Sequence, residues 1–161
     1  MNLEKVKIAV IGQGYVGLPL AIEFGKKYPT IGFDINLSRI DDLKNGVDHT
    51  NEASPQQLTS ASKLIFSSSI NDIKECNIYI VTVPTPIDEF KTPDLTLLKV
   101  ASKMLGDLLK KGDTVVYITK AYVNYFTGQF TIIKLPPLIS TKDELVPTSN
   151  FVSYSGKNDE I

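Results

Sequence analysis

Residues Val6-Lys7-Ile8-Ala9-Val10-Ile11 run directly into Gly12-Gln13-Gly14-Tyr15-Val16-Gly17, and few folds accommodate both halves of that stretch. Apart from Lys7 the first six residues are apolar and mostly β-branched, as expected of a parallel strand buried on both faces. The glycines then fall as G-x-G-x-x-G. In this pattern Gly12 permits a tight turn and Gly14 lets the backbone approach a pyrophosphate. Gly17 lets the next helix pack close to the strand. Free N–H groups and the helix dipole at that helix's start favour a negatively charged group.

Glycine-rich turns are common, so the setting of the motif decides its weight. Val16, Leu20, Ala21 and Phe24 follow at helical spacing, with Glu23, Lys26 and Lys27 on the other side. Pro19 falls in the first turn, where its missing N–H costs little. A second strand, Thr30-Ile31-Gly32-Phe33-Asp34, ends in an acid 20 residues after Gly14. That is the spacing of the carboxylate that hydrogen-bonds an adenosine ribose. Such a carboxylate repels a 2′-phosphate, so the cofactor implied is NAD rather than NADP. Val6 to Asp34 is thus one strand–helix–strand crossover of about 30 residues.

Beyond Asp34 the alternation continues. Asn36 or Ser38 can cap a helix through Arg39, Ile40 and Leu43 that stops at Asn45-Gly46. Arg39 is close enough to Asp34 to reach the adenine edge or a phosphate, although a solvated helix face explains it equally. Val47 to Ala53 reads as polar loop, and its His49 has no acid or nucleophile at a telling spacing. Ser54-Pro55 opens a short helix, Lys63 to Ser67 is a third strand, and Ser69 to Glu75 makes about one helical turn. Cys76 to Val83 is a fourth strand, with Cys76 at its start, away from the carboxyl ends where chemistry collects in open sheets. With no cationic partner nearby, Cys76 reads as a packing residue.

Pro84-Thr85-Pro86 forms a stiff loop after that strand. Its threonine hydroxyl is either presented to a cofactor or simply exposed on a rigid turn. Asp88, Glu89 and Asp94 read as solvated loop and helix-start charges rather than an acid–base set. Thr92-Pro93-Asp94 is the expected start of a helix running through Leu95, Leu98, Ala101, Leu105 and Leu108 to Lys110-Lys111-Gly112. Asp113 to Tyr117 is a fifth strand. The expectation is an α/β fold, a Rossmann-type doubly wound parallel sheet of about five or six strands with an irregular C-terminal tail.

Composition excludes several alternatives. A net charge of −1 over 161 residues gives no electrostatic case for nucleic acid or an anionic membrane. One cysteine and one histidine exclude an internal disulfide and a Cys/His zinc cluster. No apolar run approaches a membrane span, and the start of the chain enters a strand without a signal-peptide pattern. The expected location is the cytoplasm.

The stretches Ile8 to Ala21, Gly32-Phe33-Asp34-Ile35-Asn36 and Ile80-Val81-Thr82-Val83-Pro84-Thr85-Pro86-Ile87-Asp88 resemble the N-terminal domain of the UDP-glucose/GDP-mannose dehydrogenase family. The branch they resemble is that of the bacterial UDP-N-acetylhexosamine 6-dehydrogenases of capsule and Vi-type polysaccharide synthesis. The resemblance implies a two-step oxidation of a sugar C6 alcohol to a carboxylate with two NAD. Cofactor-binding positions carried over onto this chain are Gly12, Gly14, Tyr15, Val16, Gly17, Asp34, Arg39 and Thr85. Val16 would contact the cofactor at the helix start, Asp34 the ribose, Arg39 the adenosine and Thr85 the nicotinamide side.

Agreement with the family pattern is expected to end at Tyr117. The family continues its fifth strand with Glu-Ser-Thr and a Pro-Gly turn, whereas this chain reads Ile118-Thr119-Lys120-Ala121-Tyr122-Val123. The expected division is therefore an NAD-binding domain at 1–117 and a divergent tail at 118–161. In that tail Gln129 to Leu135 is one possible extra strand and Ser140 to Ile161 is polar and aperiodic. The family's catalytic cysteine and UDP-sugar site belong to the part of the family pattern that follows, so no catalytic residue or metal ligand is assigned within the chain. A UDP-sugar partner would require that other half. Oligomeric state is open. So is the choice among a cofactor-binding dehydrogenase portion, a non-enzymatic NAD-sensing or interaction module, and a truncated or frameshifted remnant.

Overall fold

The structure, a computed structural model, describes residues 5–86 and 94–118. In chain order the elements are β1 (Ile8–Ile11), α1 (Gly17–Gly25), β2 (Thr30–Phe33), α2 (Leu37–Lys44), α3 (Pro55–Ser60), β3 (Leu64–Ser67), α4 (Ile70–Ile73), β4 (Ile78–Val81), α5 (Thr96–Gly106) and β5 (Thr114–Tyr117). All strand pairs are parallel, and the sheet order is β3-β2-β1-β4-β5. The chain moves outward from β1 to β2 and β3, then returns to the far side of β1 to add β4 and β5. That reversal opens a crevice at the carboxyl ends of β1 and β4, where open α/β sheets bind ligands.

Alternation along β1 shows why its sequence is continuously apolar. Ala9 and Ile11 pack in one cluster with Phe33, Tyr79, Val81, Ala101 and Leu105, on the α4 and α5 side. Ile8 and Val10 face the opposite way, against Ala21 of α1 and Ile80. With successive side chains on opposite faces, a strand covered on both sides has no place for a polar residue. A third cluster, Leu18, Ile22, Ile40, Leu43, Ala61 and Phe66, joins α1, α2 and α3 to β3.

Local signals explain most element ends. The Asn36 side chain caps α2 by accepting the Arg39 N–H at 3.2 Å, which selects Asn36 over Ser38. Ser54 and Gln57 form a reciprocal capping box at α3 with Pro55 in the first turn. Gly46 and Gly112 carry positive φ in the turns after α2 and before β5.

Three sequence expectations shift. β4 is confined to Ile78–Val81, so Cys76 precedes the strand instead of starting it, its N–H bonded to Ile73 O at 3.0 Å. It is buried in the core, and desolvation pushes its thiol up to about 11. Helix α5 begins at Thr96 rather than at the Thr92-Pro93-Asp94 start. Asp94 Oδ1 accepts the Thr96 N–H at 2.9 Å, and Leu95 is the N-cap with no side-chain cap of its own. Thr92 and Pro93 lie outside the described residues, as do Asp88, Glu89 and the tail from Thr119 onward. At its other end α5 stops at Gly106, and Leu108 belongs to a closing turn in which its N–H bonds Leu105 O at 2.9 Å. Among the described residues no helix is long and apolar enough to cross a membrane.

Candidate cofactor site

The crevice is built around the turn from β1 into α1. Gly12 sits at φ +94°, a conformation that L side chains rarely adopt. Its N–H donates to Phe33 O at 2.8 Å, which ties the start of the turn to the end of β2. Gly17 is required by crowding. A Cβ there would overlap the Gly12 carbonyl oxygen and lie 2.5 Å from Thr82 Oγ1. Gly14 differs from both, because a Cβ there would meet nothing within 4 Å. Its neighbours in the protein do not demand glycine, which leaves the open side of the turn as the reason for it.

Among the described residues, the N–H groups of Gly14, Tyr15, Val16 and Gly17 have no acceptor, and the first inward bond of the turn is Leu18 N–H to Gly14 O at 3.1 Å. Val16 caps α1 without a side-chain bond. Four unpartnered donors at a helix start, next to a glycine with free space over it, suit a diphosphate. Tyr15 is two-thirds exposed beside them.

Asp34 follows β2 and reaches back to the turn. Its Oδ2 accepts the Gln13 N–H at 2.7 Å, and its Oδ1 accepts the Asn36 N–H at 2.9 Å. A carboxylate has about four lone-pair sites, so two remain for the hydroxyls of a ribose. Arg39, on α2, donates from Nε to Gln13 O at 2.9 Å and from Nη2 to Thr50 Oγ1 at 3.3 Å. Its Nη1 lies 2.7 Å from Asp48 Oδ1, an ion pair set off the N–H direction. The two peptide groups of Gln13 thus hold Asp34 on one side and Arg39 on the other.

Thr85 lies four residues past the end of β4, between Pro84 and Pro86, partly buried at the same edge as the Gly12 turn. The structure therefore brings Gly12, Gly14, Tyr15, Val16, Gly17, Asp34 and Arg39 to one crevice, with Thr85 on the neighbouring strand's exit. His49 stays apart, exposed, with Nε2 3.2 Å from Asp42 Oδ2.

Four supporting residues escape the sequence reading. Thr82, buried after β4, points its hydroxyl at Ile11 O (2.9 Å) and Gly12 O (2.8 Å), which locks the turn to β4. A lone threonine in a largely apolar run was the available signal. Gln13 is fully buried beneath the turn, its amide donating to Val10 O at 2.8 Å, and nothing in the sequence marks it. Asp48 and Thr50 belong to the stretch read only as polar loop. Burial alone would push Asp48 up. The Thr50 hydroxyl and N–H, Arg39 and the Ala53 N–H outweigh that, holding the carboxyl well below the usual range.

Sheet order, switch-point crevice, glycine turn and an acid at the end of β2 bonded to that turn together define a dinucleotide-binding domain. Residues 6–135 match the profile of the UDP-glucose/GDP-mannose dehydrogenase family, NAD binding domain, and the chain belongs to that family. The match continues past Tyr117, where the sequence reading placed its end. A UDP-N-acetyl-D-glucosamine 6-dehydrogenase from Pseudomonas aeruginosa is 53% identical over 120 residues, covering 74% of this chain and 28% of the relative. The enzyme of the same name from Salmonella typhi is 55% identical over 121 residues, covering 75% and 28%. Among solved structures, a UDP-D-ManNAc dehydrogenase from Pyrococcus horikoshii superposes with a TM-score of 0.63 at 29% identity, covering 74% of this chain and 30% of that one. The chain therefore spans a little over a quarter of the length of these curated relatives, and the part it matches is the NAD-binding one.

Proposed function

We propose that this chain binds NAD in the β1–β4 crevice and forms the cofactor-binding part of a nucleotide-sugar 6-dehydrogenase. The observation that carries the reading is the row of free N–H groups from Gly14 to Gly17, with Asp34 anchored beside it through Gln13. In this reading the four amides hold the pyrophosphate, Asp34 holds the adenosine ribose, Arg39 borders the adenosine, and Tyr15, Val16 and Thr85 line the cofactor. Bound NAD supplies a hydride acceptor. The residues here bind and orient it, and Thr85, on the β4 side, borders the nicotinamide.

The activities of the relatives suggest the substrate class, a UDP-linked N-acetylhexosamine oxidised at C6. The working division is a cofactor domain at 1–117 followed by 118–161. Sugar binding and the covalent chemistry of a catalytic thiolate would come from the region that the longer relatives possess, and a cofactor domain alone cannot hold a sugar C6 against a nicotinamide. Cytoplasm, where NAD and nucleotide sugars are both found, is the proposed location.

The test is a fluorescence titration with NADH. The chain has no tryptophan to confuse the signal. Saturable binding is expected, weakened about tenfold or more in Asp34→Ala by loss of a charge-assisted bond to the ribose. Absence of saturable binding to a folded chain would refute the assignment.

A further inference from the structure

We infer that Asp48 is a second determinant of the preference for NAD over its 2′-phosphorylated form, acting through Arg39. The inference rests on the cofactor reading above, which places the adenosine ribose at Asp34.

In dinucleotide crevices an arginine near the end of the second strand is the group that accommodates a 2′-phosphate. Arg39 is such an arginine by position, since the Gln13 N–H meets Asp34 and the Gln13 carbonyl meets Arg39 Nε. It is not available for that task. Its Nε and Nη2 are hydrogen-bonded to Gln13 O and Thr50 Oγ1, its Nη1 is charge-paired with Asp48 Oδ1 at 2.7 Å without a hydrogen bond, and its side chain is only 11% exposed.

Asp48 cannot readily let go. Its side chain is sealed from solvent. Oδ1 also accepts the Thr50 N–H at 3.0 Å and the Thr50 hydroxyl at 2.7 Å, and Oδ2 accepts the N–H groups of Glu52 and Ala53 at 2.8 and 2.9 Å. The carboxylate thus organises the 47–53 loop and, through that loop, fixes Arg39.

Charge makes the consequence specific. With Asp34 and Asp48 both ionised against one guanidinium, the ribose end of the crevice carries a net negative charge. Removing Asp34 leaves Arg39 still neutralised by Asp48. Only removal of both carboxylates leaves an uncompensated guanidinium for a phosphate that carries nearly two negative charges. Asp34 repels the 2′-phosphate directly, and Asp48 withholds the cation that would otherwise attract it.

The experiment titrates the full 161-residue chain and its variants with NADH and with NADPH, with circular dichroism to verify folding. The parent should prefer NADH. Asp34→Ser should lose NADH affinity without a matching gain for NADPH. Asp34→Ser/Asp48→Asn should bind NADPH about tenfold more tightly than Asp34→Ser, the effect of freeing one charge-assisted contact. Adding Arg39→Ala should erase that gain, which a merely structural role for Asp48 would not predict.

A full switch to NADPH in Asp34→Ser alone would overturn the inference, whatever Asp48→Asn does to folding. So would a folded double variant with no gain. If Asp48→Asn unfolds, the Asp34→Ser result decides: no NADPH gain supports the inference and a gain refutes it. A folded parent chain that binds neither nucleotide would overturn the cofactor reading itself, an outcome distinct from all of these.

Discussion

Two connections leave the central strands at the same edge of the sheet, and they are built differently. The one from β1 into α1 is held by backbone closures. Gly12 N–H reaches Phe33 O, the Thr82 hydroxyl reaches the Ile11 and Gly12 carbonyls, and Gly17 touches the Gly12 carbonyl with no room for a methyl group. On the β4 side, Thr82 to Pro86 leaves the sheet, one backbone closure runs from Asp94 N–H to Pro86 O at 2.7 Å, and α5 begins at Thr96 behind an N-cap with no side-chain bond, steadied by Asp94. Close backbone approach restricts which residues fit, whereas a helix start held by one side chain tolerates many. Among the described residues of the two connections, the first therefore has the less freedom to vary, and it is where the amides without an acceptor lie.

The contrast is most sharply broken by Gly17→Ala. Its methyl group has to displace backbone rather than a flexible side chain, so a loss of about 3 kcal/mol is expected, together with loss of NADH binding. Urea unfolding followed by circular dichroism measures the first and nucleotide fluorescence the second. Near-parental stability would mean that the turn opens easily and that the contrast is overstated.

A smaller effect is expected for Thr82→Val. The substitution keeps the shape of the side chain but removes the hydroxyl. Ile11 O still receives the Thr82 N–H at 2.8 Å, and Gly12 O still receives the Gln13 amide at 3.3 Å. With both carbonyls still partnered the cost should be about 1 kcal/mol, read as a lowered urea midpoint at unchanged m. A loss as large as that of Gly17→Ala would show that the hydroxyl, not the close packing, holds the turn.

At the far end of α5, Gly106 gives the opposite sign. It has no positive φ, and a Cβ there meets nothing within 4 Å. Gly106→Ala should stabilise the chain by about 0.5–1 kcal/mol by restricting the unfolded state and favouring helix. Destabilisation would mean that this end of α5 packs more tightly than its open surroundings indicate.

The same contrast explains what was legible in the sequence. Alternating apolar runs and punctuating glycines identified the strands and their parallel arrangement, because a strand covered on both faces must be apolar and a positive φ favours glycine. Asp34's place beside the turn was legible because its spacing from the turn follows from the crossover itself. The start of α5 was misplaced because Thr92-Pro93-Asp94 carries every local start signal, while the observed start depends on Asp94 accepting the Thr96 N–H. Gln13, Thr82, Asp48 and Thr50 were missed for a related reason. Their partners lie on other elements, or in a loop whose bonds follow from tertiary folding. No local pattern announces that a carboxylate at 48 will meet a guanidinium at 39.

The measurement that tests the central claim most directly is an amide NMR titration with NAD. The largest shifts should fall on the N–H groups of Gly14, Tyr15, Val16 and Gly17, followed by Gln13, whose N–H is bonded to Asp34, the residue proposed to hold the ribose. Shifts centred elsewhere on the sheet, with these amides unmoved at saturation, would contradict the account.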